Sequence, residues 1–219
     1  MNVMLLGAPG AGKGTQAARI VAEFGLVHLS TGDILRKAVA DKTPLGLEAK
    51  RHMDEGGLVP DEVVIGLVQE RITQSDALER GVLFDGFPRT IPQADALGAA
   101  LAESGLALDG VVSVEVDPES IVKRITSRRQ CRACGRVYNT VTDAPTVAGV
   151  CDVCSGEVYQ RDDDTESVVR KRLAAYDELT SKLVPYYASL GILKTVDGNT
   201  TPDAVYAEVS AILRAWCGS

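Results

Sequence analysis

Apolar residues along this chain fall into short unbroken runs, each followed by a longer stretch in which they recur every three or four positions. The runs are Val3–Leu6 and residues 27–29, 82–84, 111–116 and 193–196. Short, continuously apolar runs fit strands covered on both faces. Helical spacing marks residues 14–24, 63–73, 90–102, 118–128, 168–189 and 202–216. In the second of these, Val64, Leu67, Val68 and Ile72 lie near one face. Pro118 suits a first helical turn, where no backbone N–H is needed. Regular alternation of strand and helix predicts an α/β fold with a parallel five-stranded sheet wrapped by helices.

Two stretches break this rhythm. Residues 30–59 insert helical material between the second and third strands. Residues 127–164 hold four cysteines, several β-formers and many turn residues, and read as a small β-rich lid. The core then comprises residues 1–29, 60–126 and 165–219. No internal repeat or low-complexity tract is visible.

The chain has 219 residues, 45% of them hydrophobic and 24% charged, which is enough apolar material for a sizeable core and too much for disorder. Its formal net charge of -7 argues against a basic nucleic-acid-binding surface and leaves a local basic cleft open. No apolar run is long enough to span a bilayer. The first ten residues lack a basic start and a cleavage site, so they read as a buried strand and the expected location is cytoplasmic. Of the two histidines, His28 sits in an apolar run and reads as packed, and His52 reads as part of a solvated helix face.

The first strand runs into Gly7-Ala8-Pro9-Gly10-Ala11-Gly12-Lys13-Gly14-Thr15. Glycines let a backbone curl so that its N–H groups face an anion, and the next helix adds the positive end of its dipole. Lys13 supplies a cation for terminal phosphates. The match to G-x-x-x-x-G-K-[ST] holds through Lys13. Gly14 then replaces the usual hydroxyl residue and Thr15 follows one position later, so magnesium would be held mainly by phosphates and water. The fold expected is therefore a P-loop core.

Further motifs follow: Ser30-Thr31-Gly32-Asp33 with Arg36, Asp85-Gly86-Phe87-Pro88-Arg89 with Gln93, then Arg124, Arg128 and Arg129 near a helix end, and Arg161-Asp162-Asp163-Asp164 before Arg172. In this combination, over essentially its full length, the chain resembles the bacterial adenylate kinases. The resemblance implies reversible, Mg2+-dependent phosphoryl transfer from ATP to AMP, giving two ADP, by a monomer without nucleic-acid or membrane partners. It implies that Lys13, Arg128, Arg161 and Arg172 contact the phosphate chain or transferring group, with Gly10, Ala11, Gly12, Gly14 and Thr15 around the ATP phosphates. Arg36 and Arg89 would clamp the AMP phosphate. AMP recognition would further use Thr31, Gly57, Leu58, Val59, Gly86, Phe87, Pro88 and Gln93, together with Arg161 and Arg172. ATP's adenine would lie against Arg124 and near Val137, Tyr138 and Thr200. Asp85 would orient Mg2+ through water, Asp33 is a further candidate for that role, and Asp163 and Asp164 would fasten the lid. Arg71 and Arg80 have no motif context and read as surface ion-pair residues.

Cys131 and Cys134, then Cys151 and Cys154, form two Cys-x-x-Cys pairs sixteen residues apart. That spacing fits a closed tetrahedral Zn2+ site of structural type, with free thiols, a disulfide or an iron centre as the alternatives. Gly135 and Gly156 follow the pairs, where tight turns would need them. Cys217 reads as an incidental thiol. Two other readings of the whole stay open: a nucleoside monophosphate kinase with a different acceptor base, and a nucleotide-dependent nucleic-acid-binding module built on a zinc ribbon.

Overall fold

The computed structural model describes residues 1–218. Five parallel strands form one sheet in the order β2 (Val27–Ser30), β3 (Val82–Asp85), β1 (Val3–Leu6), β4 (Gly110–Glu115) and β8 (Leu193–Asp197). Side chains alternate across such a sheet, and both sets here are apolar. Met4 and Leu6 of β1 join Phe84 and Val111 on one face, beneath α4 (Asp61–Ile72), α6 (Ile91–Glu103) and α9 (Leu183–Ser189). Val3 and Leu5 join Leu83, Val112 and Val114 on the other, beneath α1 (Lys13–Phe24) and α10 (Pro202–Cys217). The expected α/β core is thus present as three layers. In parallel α/β sheets ligands bind at the carboxyl ends of the strands. Here those ends deliver Gly7, Thr31, Gly86 and Gly198 to one edge.

The insertion at residues 30–59 is helical, as expected, and consists of α2 (Thr31–Ala40) and α3 (Pro44–Asp54). The segment at residues 127–164 carries a separate three-stranded antiparallel sheet with β5 (Arg128–Cys131) between β6 (Val137–Asn139) and β7 (Val158–Tyr159). No helix among the described residues is long and apolar enough to cross a membrane.

Three boundaries depart from the sequence reading. A short helix α5 (Ser75–Arg80) precedes β3, where no helix was expected. The helix α7 (Pro118–Thr126) stops before Arg128, which opens β5 opposite Asn139. Residues 168–189 are not one helix. They divide into α8 (Glu166–Ala175), a π-helical turn Tyr176–Thr180 closed by the Ser181 N–H on the Tyr176 carbonyl, and α9. Pro185 has no N–H to offer a continuous helix, and it is accommodated because α9 restarts just before it.

Candidate functional site

The phosphate loop depends on backbone that only glycine adopts freely. Gly12 has φ 96°, and a Cβ at Gly10 (φ 84°) would lie 2.5 Å from the Ile125 side chain. Inside the loop the Lys13 ammonium donates to the carbonyls of Gly7 (2.7 Å) and Ala8 (2.9 Å). Burial lowers its pKa to about 8. Asp85 opposes that shift, and Arg89, Arg172 and Arg128 add to it. Asp85 ends β3 beside Lys13. Burial works against its charge, but the neighbouring His28 and Lys13 prevail and hold its carboxyl below the usual range. The nearest His28–Asp85 contact is 3.5 Å.

Lys13 opens onto a cleft of about 700 Å³. Gly10 through Thr15, Arg124, Arg128, Arg161, Arg172, Val137, Tyr138 and Thr200 all line it, as do Asp85, Gly86, Pro88 and Asp33. Every residue that the resemblance assigns to ATP therefore faces one space. A smaller pocket of about 60 Å³ adjoins it, lined by Thr31, Gly57, Leu58, Val59 and Gln93. The two share Arg36, Arg89 and Arg172. Phe87 lines neither; its side chain is packed in the core beneath α4 and α6.

The arginines are held by fixed partners. Arg128 makes a two-pronged contact with Asp164, including Nε to Oδ2 at 2.9 Å. Burial works against the Arg128 charge, but Asp164 overcomes it and raises the pKa. Arg172 donates to Asp163 (2.8 Å), Arg161 to the Gln130 side-chain Oε1 (2.6 Å), and Arg36 to Asp33 (2.5 Å). Arg89 has no carboxylate partner in hydrogen-bond contact. Its Nε donates to the Gly86 carbonyl (2.8 Å), and burial followed by repulsion from Arg172 lowers its pKa to about 10. Arg161 is lowered to about 10 as well, by burial and by Arg128. An anion between these side chains would relieve the strain of like charges packed together. Outside the cleft, Arg71 pairs with Asp76 as expected, whereas Arg80 donates to the Gly25 carbonyl rather than to a carboxylate.

Several contributors carried no signal in the sequence. Thr180, turned inward by the π-helical segment, donates to the Arg89 carbonyl at 2.9 Å. Asp61 accepts from Gln93 and from Thr90, both at 2.7 Å. A threonine in a helical stretch and an acid at a helix start are ordinary residues, and their partners lie 91 and 32 positions away.

In the lid, the four cysteine Sγ atoms lie within 4.8 Å of one another, with Cys131–Cys154 at 3.5 Å and Cys134–Cys151 at 3.6 Å. These separations are too long for a disulfide. They fit the edges of a tetrahedron, about 3.8 Å for metal–sulfur bonds near 2.3 Å. The donor set is four soft thiols with no open ligand position, which suits a structural metal ion. The two turns share one pattern: Gly135 and Ser155 donate to the carbonyls of Cys131 and Cys151, while those cysteines donate to the carbonyls of Arg136 and Gly156. The second left-handed position is therefore Ser155 (φ 58°), not Gly156. Gly156 is needed for a different reason, since a Cβ there would sit 3.0 Å from the Cys131 sulfur. The buried Tyr138 hydroxyl donates to the Cys151 sulfur (3.3 Å) and accepts from the Asp152 N–H (2.8 Å), and it pushes the Cys151 thiol down to about 6.

A family model described as adenylate kinase matches residues 5–192. Curated relatives, each named adenylate kinase, match nearly end to end. One from Carboxydothermus hydrogenoformans is 51% identical over 98% of this chain and 100% of its own length. One from Archaeoglobus fulgidus is 52% identical over 97% and 98%, and one from Brevibacillus brevis is 50% identical over 98% and 100%. With the phosphate loop, the paired pockets and the arginine cluster all in place on the expected sheet, the chain belongs to the adenylate kinase family.

Proposed function

We propose that the protein catalyses reversible, Mg2+-dependent transfer of the terminal phosphoryl group of ATP to AMP, giving two ADP. The observation that carries this is the meeting of two pockets at Arg36, Arg89 and Arg172, one of them built on the phosphate loop. A single-nucleotide hydrolase would need only the first pocket. ATP takes the larger cleft, with its phosphates in the Gly10–Thr15 loop and against Lys13, and its adenine toward Arg124, Val137, Tyr138 and Thr200. AMP takes the smaller pocket, its phosphate between Arg36 and Arg89. An AMP phosphate oxygen attacks the γ-phosphorus, and the bond from that phosphorus to the β–γ bridging oxygen breaks. The electron pair leaves on the β-phosphate, so both products are ADP. The nucleophile is already anionic, and no general base is required. Lys13, Arg128, Arg161 and Arg172 neutralise charge on the transferring group, which is where phosphoryl transfer needs the protein most. Asp85 offers an ionised hard oxygen beside Lys13, and with Thr15 it would hold Mg2+ through water; the ion would supply positive charge to offset that of the ATP phosphates. Arginine suits the clamp because its planar fork donates two bonds at once.

The lid comprises residues 127–164 and the acceptor-binding insertion residues 30–59; both close over the core and exclude water from the phosphoryl group. Cys131, Cys134, Cys151 and Cys154 hold Zn2+ in a structural role. A coupled assay of ATP and Mg2+ against AMP, UMP, CMP and GMP tests the function. Turnover should be greatest by far with AMP. Equal or better turnover with another monophosphate would give the chain a different acceptor.

A further inference from the structure

Gln93 is 2% exposed, and each end of its amide makes one hydrogen bond. Its Oε1 accepts the Arg89 N–H at 2.7 Å, and its Nε2 donates to Asp61 Oδ1 at 2.7 Å. The second Asp61 oxygen accepts from the Thr90 hydroxyl at 2.7 Å, and that hydroxyl also caps α6 by accepting the Gln93 N–H. A backbone N–H can only donate and a carboxylate can only accept. The two partners therefore leave the amide one orientation. Asp61 opens α4, where the helix dipole favours a carboxylate, and it ties that helix to the start of α6.

We propose that Asp61 is a positioning residue for acceptor-base selection: by accepting from Gln93 Nε2 it acts with the Arg89 N–H to fix which end of the Gln93 amide is donor and which is acceptor, so that the pocket prefers a 6-amino purine to a 6-oxo purine. The inference rests on the reading that Gln93 faces the AMP base. After its contacts to Asp61 and Arg89, Gln93 keeps one N–H and one lone pair. Adenine presents a 6-amino donor beside a ring-nitrogen acceptor, which matches that pair. Hypoxanthine presents a 6-oxo acceptor instead, and it would be served by a freely flipping amide. Asparagine at position 61 can either donate or accept, so one of the two constraints is lost and the Arg89 N–H alone is left to hold the orientation.

The test compares kcat/KM for AMP with that for inosine monophosphate in the wild type, Asp61→Asn, Asp61→Ala and Gln93→Leu, with the KM for ATP measured alongside. Because it is a ratio on one preparation, the AMP preference does not depend on the fraction of protein folded. The expected result is a preference reduced about tenfold or more in both Asp61 variants, in line with loss of a hydrogen bond to a charged group, with the ATP KM unchanged. An unchanged preference in both Asp61 variants, with Gln93→Leu reducing it, overturns the role of Asp61. An unchanged preference in Gln93→Leu overturns the reading of Gln93 itself. A rise in the ATP KM matching the AMP loss would make Asp61 a general structural residue and also overturn the proposal.

Discussion

Replacing Asp164 with alanine should destabilise the protein, and nucleotide phosphates should repair much of the damage. Asp164 is 0% exposed and the Arg128 side chain 18% exposed, joined by two hydrogen bonds. Deleting one partner of a buried ion pair leaves the other charge uncompensated, at a cost of about 3–5 kcal/mol. For a chain of this size each kcal/mol moves Tm by about 2–4 °C, so the fall should be about 6–20 °C. Glu119→Ala is the control. Glu119 pairs with Arg170 on the surface, with side chains 63% and 49% exposed, and its loss should move Tm by about 4 °C or less. A bisubstrate inhibitor, two adenosines joined by a phosphate chain, supplies anionic oxygens to Arg128 in place of Asp164. Calorimetry with and without it should therefore show the gap between wild type and Asp164→Ala narrowing by at least half. A fall no larger than the Glu119→Ala control would show that the pair contributes little. A gap that the inhibitor leaves unchanged would show that the phosphate chain does not reach Arg128.

The remaining predictions concern the other charged groups and the metal. The Lys13 pKa of about 8 lies below its ordinary value of 10.5, so phosphate binding, which favours the charged form, should take up a proton above pH 8. ATP affinity should be flat below pH 8 and fall by up to tenfold per pH unit above it, and titration calorimetry should show this slope lost in Lys13→Met, which should also turn over severely more slowly. Because the unfolded chain binds the proton that folded Lys13 has released, this group makes stability rise with pH between about 8 and 10.5; a denaturation series showing the opposite slope for wild type relative to Lys13→Met would contradict it. Arg89→Ala should raise the dissociation constant of AMP at least tenfold and change that of ATP little, as measured with each nucleotide separately. Cys131→Ser with Cys134→Ser should abolish binding of one Zn2+ per chain by metal analysis and lower Tm, while turnover at low temperature falls less; turnover lost with Tm unchanged would make the metal catalytic.

The core was legible because it is periodic. Runs such as Val3–Leu6 are apolar at every position because both faces of the sheet are covered, and the structure buries all four. The phosphate loop and the cysteine pairs were legible because their chemistry is local, with donors and ligands only a few residues apart. The π-helical turn was not. A run of helix-forming residues from 168 to 189 gives no sign that Ser181 will bond to Tyr176 or that Thr180 will reach the Arg89 carbonyl, 91 positions away. The left-handed Ser155 was missed for a similar reason: glycine is the residue that announces such a turn, and here the chain uses serine and spends its glycine one position later on close packing against sulfur.

The charge distribution ties stability to function. The chain is acidic overall, yet its cleft concentrates Lys13, Arg36, Arg89, Arg128, Arg161 and Arg172. Burial first, and repulsion among these groups second, work against their charged forms and lower the pKa of Lys13, Arg89 and Arg161. Asp33, Asp85, Asp163 and Asp164 restrain the cluster in the free protein, and three of those four pair directly with an arginine. Arg89 and Arg161 have no carboxylate in hydrogen-bond contact among the described residues: Arg161 donates to Gln130 Oε1, and the Arg89 side chain donates to the Gly86 carbonyl at the seam between the two pockets. A positive group without a carboxylate needs no partner displaced before it meets a phosphate. On the proposed binding mode, Arg89 and Arg161 would therefore meet an incoming phosphate without displacing a carboxylate, while at the neighbouring pairs binding would exchange one anion for another.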